Sequence, residues 1–340
     1  MLKAGLIGFG GITKAHRKAF ARLEQQGKAR LTCAYDIDPT AFERKKEINL
    51  GDDPDFKELP IRFYTDLEKM LQKEELDFVD ICVPSYMHAP LSCDMLRRGY
   101  HVMCEKPMSL TYDDCKKMLA AAEESKKELM IGQCLRFYPE YQYIKEAVDD
   151  QRFGAVLSAF FNRLSAPPTW GWENWFMDPA RSGGCITDLH IHDIDMIRYL
   201  FGEPEAVSCR ATDSISCHDT VQTALFYGKT PITAMGDWTL TGLKFSASYR
   251  VDFVKATVVY DGKTLVVYPK DGTEPYQPQL EKIDGHTGEL FYFCNVILGL
   301  SENTRNPASG AARSVRLIEI MRESAVAAGA ILPVNEQSFA

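Results

Sequence analysis

Several short stretches of the chain combine residue types that can act on a bound small molecule. Gly8, Phe9, Gly10, Gly11, Ile12 and Thr13 follow an apolar run and precede a helical period. Glycines there let backbone amides face a pyrophosphate, and the start of a helix adds partial positive charge. The fingerprint is GxGxxT, with Thr13 where a third glycine usually stands. The next strand ends at Asp36, whose carboxylate is placed to accept hydrogen bonds from an adenosine ribose and to repel a 2'-phosphate. Ile37, Asp38, Pro39 and Thr40 supply no arginine, so NAD is expected in preference to NADP. Glu105, Lys106 and Pro107 fall at the carboxyl end of a later strand, where open parallel sheets collect ligands. A charged strand end with a turn proline has the same residues, so the triplet alone decides nothing. Asp188 and His192 are four residues apart, and on one helix they would share a face and converge on one hydroxyl. Imidazole there would accept a proton near neutral pH.

These groups need a scaffold, and the residue pattern supplies one. Over the first third, short apolar runs at 2–7, 30–35, 78–83, 101–104 and 129–132 alternate with amphipathic stretches at 12–26, 42–48, 66–72, 89–98 and 111–125. Such alternation predicts a parallel sheet with helices on both faces. Beyond Pro139 a helix over 140–150 gives way to strand-like segments at 156–164, 206–213, 220–227, 232–240, 245–254, 257–260 and 264–268. Tyr227-Gly228-Lys229 and Asp261-Gly262-Lys263 read as hairpin turns, so this second sheet is expected to be mostly antiparallel. A helix over 308–328 closes the pattern. The expected division is a dinucleotide-binding domain at 1–132, a second domain at 133–307, and a carboxyl-terminal helix and tail at 308–340 that could pack on the first.

Composition narrows the partners. Of 340 residues, 45% are hydrophobic, enough for two cores. Lys and Arg total 39 against 47 Asp and Glu, and a net charge of -8 opposes binding to nucleic acid. No apolar run is long enough to span a membrane and no signal sequence precedes the first strand, so a cytoplasmic protein is expected. The ten cysteines are scattered singly without CxxC, which favours buried free thiols over zinc or disulfides.

The glycine loop, the stretch Val83, Pro84, Ser85, Tyr86, Met87 and His88, the Glu105-Lys106-Pro107 triplet, and Gly183-Gly184 followed by Asp188 and His192 occur in an order that resembles one family. It is that of glucose-fructose oxidoreductase, inositol dehydrogenase and the rhizopine-catabolism oxidoreductases, the Gfo/Idh/MocA family, and the likeness runs through essentially the full length. The resemblance implies a Rossmann domain on NAD(P), an open-faced antiparallel sheet domain that carries substrate, and a homodimer or homotetramer built through that sheet. It places Pro84, Ser85, His88 and Glu105 at the cofactor, with Ser85 where the family usually has asparagine. It sets Lys106 near the nicotinamide and the reacting hydroxyl, with Asp188 and His192 beside them.

Alcohol oxidation needs a hydride acceptor, a group that takes the hydroxyl proton, and positive potential where oxygen charge develops. NAD, His192 or Lys106, and the Lys106 ammonium would supply these, Asp188 orienting substrate or imidazole. Which of Lys106 and His192 takes the proton stays open. His190, Asp193 and Asp195 read as structural or capping residues, and the diverging His190 and His192 give no reason to expect a metal. Trp170, Trp172 and Trp175 either cap an apolar core or stack on a sugar or cyclitol. Arg136, Asn162 and Arg163 either touch substrate or tie the structure together. The expected activity is hydride transfer between NAD and a secondary hydroxyl of a sugar, cyclitol or related polyol. The alternatives are a glycosidase that oxidises its sugar transiently and a non-catalytic nucleotide-sensing regulator on the same fold.

Overall fold

The computed structural model describes residues 1–43 and 59–339. Most of the helix expected over 42–48 lies outside these residues. The chain divides into two compact units, one of Met1–Phe137, Trp170–Trp175 and Asp284–Ala312, the other of Tyr138–Thr169, Phe176–Ile283 and Arg313–Ala340.

In chain order the first unit starts with β1 (Leu2–Ile7), α1 (Thr13–Gln25), β2 (Ala29–Tyr35), β3 (Arg62–Tyr64), α2 (Leu67–Lys73) and β4 (Phe78–Ile81). It continues with α3 (His88–Arg97), β5 (His101–Glu105), α4 (Tyr112–Ser125) and β6 (Leu129–Gly132). The strands pair in parallel in the order β3-β2-β1-β4-β5-β6. Strand order reverses between β1 and β4, and such a switch point opens a crevice at the carboxyl ends of the strands. α1 forms because His16, Ala19, Phe20 and Leu23 recur on one buried face, and it stops before Gly27, which takes a positive φ of 66°. α4 begins where the side chain of Thr111 accepts the amide of Asp114 at 3.2 Å, the expected cap.

The second unit holds α5 (Pro139–Asp149), β7 (Val156–Leu164), α6 (Pro179–Ser182), α7 (Gly184–Asp188) and α8 (Ile191–Phe201). Next come β8 (Ala206–Thr212), β9 (Thr220–Tyr227), β10 (Thr230–Asp237), β11 (Ser246–Phe253), β12 (Ala256–Tyr260) and β13 (Leu265–Pro269). After them stand α9 (Gly285–Ile297), in the first unit, α10 (Ala308–Val326) and β14 (Leu332–Pro333). The sheet runs β13-β12-β11-β7-β10-β9-β8-β14, antiparallel throughout except for the β7–β10 pair. Both expected hairpin turns are present, between β9 and β10 and between β12 and β13. Along β7, Ala159, Phe161 and Arg163 are buried, whereas Phe160, between Thr233 and Arg250 on the neighbouring strands, is 38% exposed on the other face.

The expected partition runs the chain through each domain once. Instead, contacts return 284–312 to the first unit, and 313–340 joins the second, where β14 extends the sheet along β8. The returning segment contains α9, a helix the periodicity does not reveal. Its Leu290, Phe293 and Cys294 pack with Phe20, Leu23 and Phe78, and the rings of Phe78 and Phe293 meet edge-on at 5.5 Å. Two glycines and an apolar surface on nearly every side erase the stripe by which a half-buried helix is recognised.

Candidate functional site

In the first unit the glycine loop is built for a close approach. Gly8 has φ 93°, and a Cβ there would lie 2.3 Å from the carbonyl oxygen of Cys82, so only glycine lets β1 and β4 end side by side. A Cβ on Gly10 would meet nothing within 4 Å. Thr13, at the third glycine position, turns its hydroxyl back to donate to the Gly10 carbonyl at 2.7 Å. Ile12 leads into α1, and no side chain caps that helix start. The amide of Phe9 donates to Asp36 at 2.7 Å and the amide of Asp38 donates to its other oxygen at 2.9 Å, so the carboxylate is anchored beside the glycine loop. The ring of Phe9 is itself buried against Phe42 and Phe63. An open space at Gly10, an uncapped helix start and a fixed carboxylate together fit a dinucleotide.

The ends of β4 and β5 carry the remaining candidates of this unit. Pro84 leads into a turn over Ser85–Met87, with Ser85 buried. The His88 ring lies 2.7 Å from the Pro107 carbonyl and 2.9 Å from the Val83 carbonyl, stapling the two loops together, and burial pushes its pKa down. Lys106 is half-buried, and its amide donates to Glu105 at 3.1 Å. The other Glu105 oxygen faces Nε2 of His16 at 2.8 Å, and Nδ1 of His16 faces Asp80 at 2.7 Å. Burial pushes Glu105 up, but the hydrogen bond and charge of His16 outweigh it and bring its pKa down to about 2. Sequence reasoning does not single out His16 and Asp80, although each leaves a signal. His16 lies on the buried stripe of α1, and Asp80 is the one charged residue of an otherwise apolar strand.

In the second unit a glycine doublet sets the start of α7. Gly183 and Gly184 both have positive φ, and a Cβ on Gly184 would lie 2.1 Å from the Cys217 carbonyl oxygen. Asp188 ends α7 and His192 lies in the first turn of α8, so the single helix expected to carry both is two helices with Leu189 and His190 between. Both side chains are partly buried. His190 is fully buried, 3.0 Å from the Thr223 hydroxyl and against Gly236, and burial pushes its pKa down to about 3.

Asp193 and Asp195, expected at a helix surface or cap, are instead buried. Asp193 takes Nε and Nη2 of Arg163 at 2.9 and 3.0 Å, and Asp195 accepts the Ser314 hydroxyl at 2.7 Å. Carboxylates this deep need such partners, and a helix wheel does not display a partner on a distant strand. Arg163 thus braces α8 against β7, and Asn162 projects to the opposite sheet face.

Arg136 is buried in the first unit and donates to the Arg305 carbonyl at 3.0 Å, tying the end of β6 to the returning segment. Trp170, Trp172 and Trp175 also belong to the first unit, and Trp172 is 38% exposed. Among the described residues, His16, Glu105, His286 and Glu289 bring one possible metal-ligand atom each within 4.8 Å of one another. Both ring nitrogens of His16 are already engaged there by carboxylates.

Comparison with known proteins gives the same architecture. Residues 2–133 match the model of the Gfo/Idh/MocA oxidoreductase family, NAD-binding Rossmann fold, and residues 141–264 match the family's C-terminal domain. Inositol 2-dehydrogenase of Rhizobium meliloti (strain 1021) is 29% identical over 291 residues, 84% of this chain and 80% of that protein. The 2,7-anhydro-N-acetylneuraminate hydratase of Escherichia coli (strain K12) is 29% identical over 61% of this chain. D-apiose dehydrogenase of Paraburkholderia graminis is 32% identical over 52% of it. These two matches span about half of the relatives' own lengths, 52% and 47%. Among solved structures, levoglucosan dehydrogenase in complex with NADH and levoglucosan superposes with a TM-score of 0.81 at 20% identity, covering 98% of this chain and 99% of that one. An oxidoreductase of Agrobacterium radiobacter in complex with NAD+, L-tartaric acid and magnesium gives 0.80 at 18% identity, covering 98% of each chain. With both of its domain models matched in order, the chain belongs to the Gfo/Idh/MocA family of oxidoreductases, and its first unit is the family's NAD-binding Rossmann fold.

Proposed function

We propose that this protein is an NAD-dependent dehydrogenase that moves hydride between the nicotinamide and a secondary hydroxyl of a sugar, cyclitol or related polyol. The observation that carries the reading is Lys106, half-buried at the carboxyl end of β5, with its amide held by Glu105. The names of relatives that act on inositol and apiose agree with it. Bound NAD+ supplies the hydride acceptor. Gly8, Gly10 and the start of α1 hold its pyrophosphate, and Asp36 holds the adenosine ribose. Lys106 offers positive charge where the substrate oxygen becomes negative, and the hydroxyl proton goes to Lys106 or His192 with Asp188 orienting substrate. Trp172 is the exposed ring best suited to stack on a sugar face. The exposed sheet face around Phe160 and Arg250 is where two or four copies join.

A panel of sugars, cyclitols and sugar acids, followed by the absorbance of NADH formed, tests the reading. Net NADH with at least one polyol is expected, and Lys106→Ala and His192→Ala should each lower turnover about a hundredfold or more while NAD binding stays nearly intact. Normal turnover in either variant removes that residue from the role. A second reading draws on the relative named a hydratase, namely sugar oxidation that is reversed within one turnover, as in the glycosidase alternative. Substrate consumed with no NADH accumulating would favour it.

A further inference from the structure

We propose that His16 is a positioning residue for Lys106: clasped between Asp80 and Glu105, its ring fixes the Glu105 carboxylate on the Lys106 amide and balances that carboxylate's charge behind the lysine. This rests on the reading that Lys106 works at the reacting hydroxyl. Asp80 on β4 is in register with Met103 on β5, so Glu105, two residues further, projects to the same face of the sheet, and α1 lays His16 across it. The chain of contacts is continuous, from Asp80 through both ring nitrogens to Glu105 and from its second oxygen to the amide of Lys106. His16 and Asp80 are fully buried and Glu105 is 7% exposed.

Two carboxylates flank one ring, and only a doubly protonated imidazole donates to both. Burial opposes that charge, but Asp80 together with Cys82 outweighs it and raises the pKa of His16 well above the ordinary value. Of the other groups facing the cluster, Cys82, His286 and Glu289 are neutral, while Asp284 at the start of α9, where burial is outweighed by the amide and hydroxyl of Thr287 that hold its pKa down, is charged. Burial pushes the thiol of Cys82, the residue after β4, up. From α9, burial and the charge of His16 hold His286 down at about 4, and burial together with the charge of Glu105 pushes Glu289 well up. The Lys106 ammonium is within electrostatic reach of Glu105. Taking away the imidazolium therefore leaves the lysine facing more negative charge and a less constrained Glu105, so that Lys106 holds more tightly the proton it must lose before it can accept one from substrate or be methylated.

The test compares wild type, His16→Gln, Glu105→Gln and the double variant as full-length proteins, with circular dichroism and thermal unfolding as the check on folding. Reductive methylation of Lys106 at a fixed mildly alkaline pH, followed by peptide mass, should slow about threefold or more in His16→Gln relative to other lysines. kcat should fall about tenfold or more with its acid limb displaced to higher pH, and the KM for NAD should change little. Because His16 acts through Glu105, the double variant should be no slower than Glu105→Gln, whereas a purely structural role would add to it. If His16→Gln does not fold, Asp80→Asn, whose amide oxygen still accepts from Nδ1, enters the same cycle. Unchanged methylation and an unmoved pH profile overturn the proposal. So does a stoichiometric divalent cation in the purified protein held by His16, Glu105, His286 and Glu289, because a ligating ring is neutral. If the wild type reduces NAD with no polyol, the functional reading falls, and the methylation result still judges His16.

Discussion

Gly8 and Gly184 occupy matching situations in the two units. Each has positive φ, and in each a Cβ would strike the carbonyl oxygen of a cysteine, at 2.3 Å in one and 2.1 Å in the other. Their surroundings differ. Two residues after Gly8 the chain faces open space at Gly10, before a helix start that no side chain caps. Beside Gly184, Gly183 is packed against Arg322 and Thr187, and Arg322 donates to its carbonyl. Gly8 and Gly184 both make room for the protein's own backbone, but only the first loop goes on to leave open space, at Gly10, where the proposed function puts a ligand.

The sharpest way to break this comparison is to add a methyl group at both tight positions. Gly8→Ala and Gly184→Ala each combine the cost of positive φ, about 1–2 kcal/mol, with a backbone clash, and should lose more than about 3 kcal/mol in total. Thermal unfolding should show both drops. Only Gly8→Ala should also abolish NAD binding, and equal loss of NAD binding in Gly184→Ala would erase the distinction between the loops.

The same contrast explains how much is legible in the amino-acid order. β6, β7 and β9 appear at the residues their apolar patterns predict, because strand periodicity is local. The glycine loop with Asp36 is readable for the same reason. The chain from Asp80 through His16 to Glu105 is not, since its members lie 64 and 89 residues apart and meet only after the sheet forms. Asp193 looks like a surface carboxylate because its partner, Arg163, is 30 residues away on β7. α9 escapes notice because a helix buried on nearly all sides carries no stripe, and with it go His286 and Glu289.

A smaller change sharpens the ligand side of the comparison. Gly10→Ala adds a methyl group to empty space at ordinary φ, so the melting temperature of the protein without cofactor should stay within about a degree. The pyrophosphate has to approach that backbone, and NAD affinity should fall about tenfold or more, equivalent to about 1.4 kcal/mol. Titration of NADH fluorescence reads the second quantity. A variant that melts early yet binds NAD normally would make Gly10 a structural glycine like Gly184.

The units should also differ in how they respond to pH. In the first, the carboxyl of Glu289 is pushed well above its ordinary 4.5, chiefly by burial and then by the charge of Glu105. The folded state keeps a proton that the unfolded chain releases, so this group removes stability as pH climbs from 4.5 to its folded value. His16, raised above 6.5, contributes fully below that pH, and its contribution is lost as pH rises through its folded value. In the second unit, His190 is held down at about 3, so its contribution is complete above 6.5 and is lost as pH falls toward 3. Of these groups, Glu289 and His16 act on the alkaline side and His190 with His286 on the acid side, and the second unit adds its own alkaline-side group in Asp193, whose carboxyl burial pushes up. Glu289→Gln replaces the acid with an amide that never ionises. Its stability should gain on that of the wild type as pH rises above 4.5, by up to about 1.4 kcal/mol per pH unit until the folded wild type releases the Glu289 proton. Parallel curves for the two proteins would mean that Glu289 is not the proton holder.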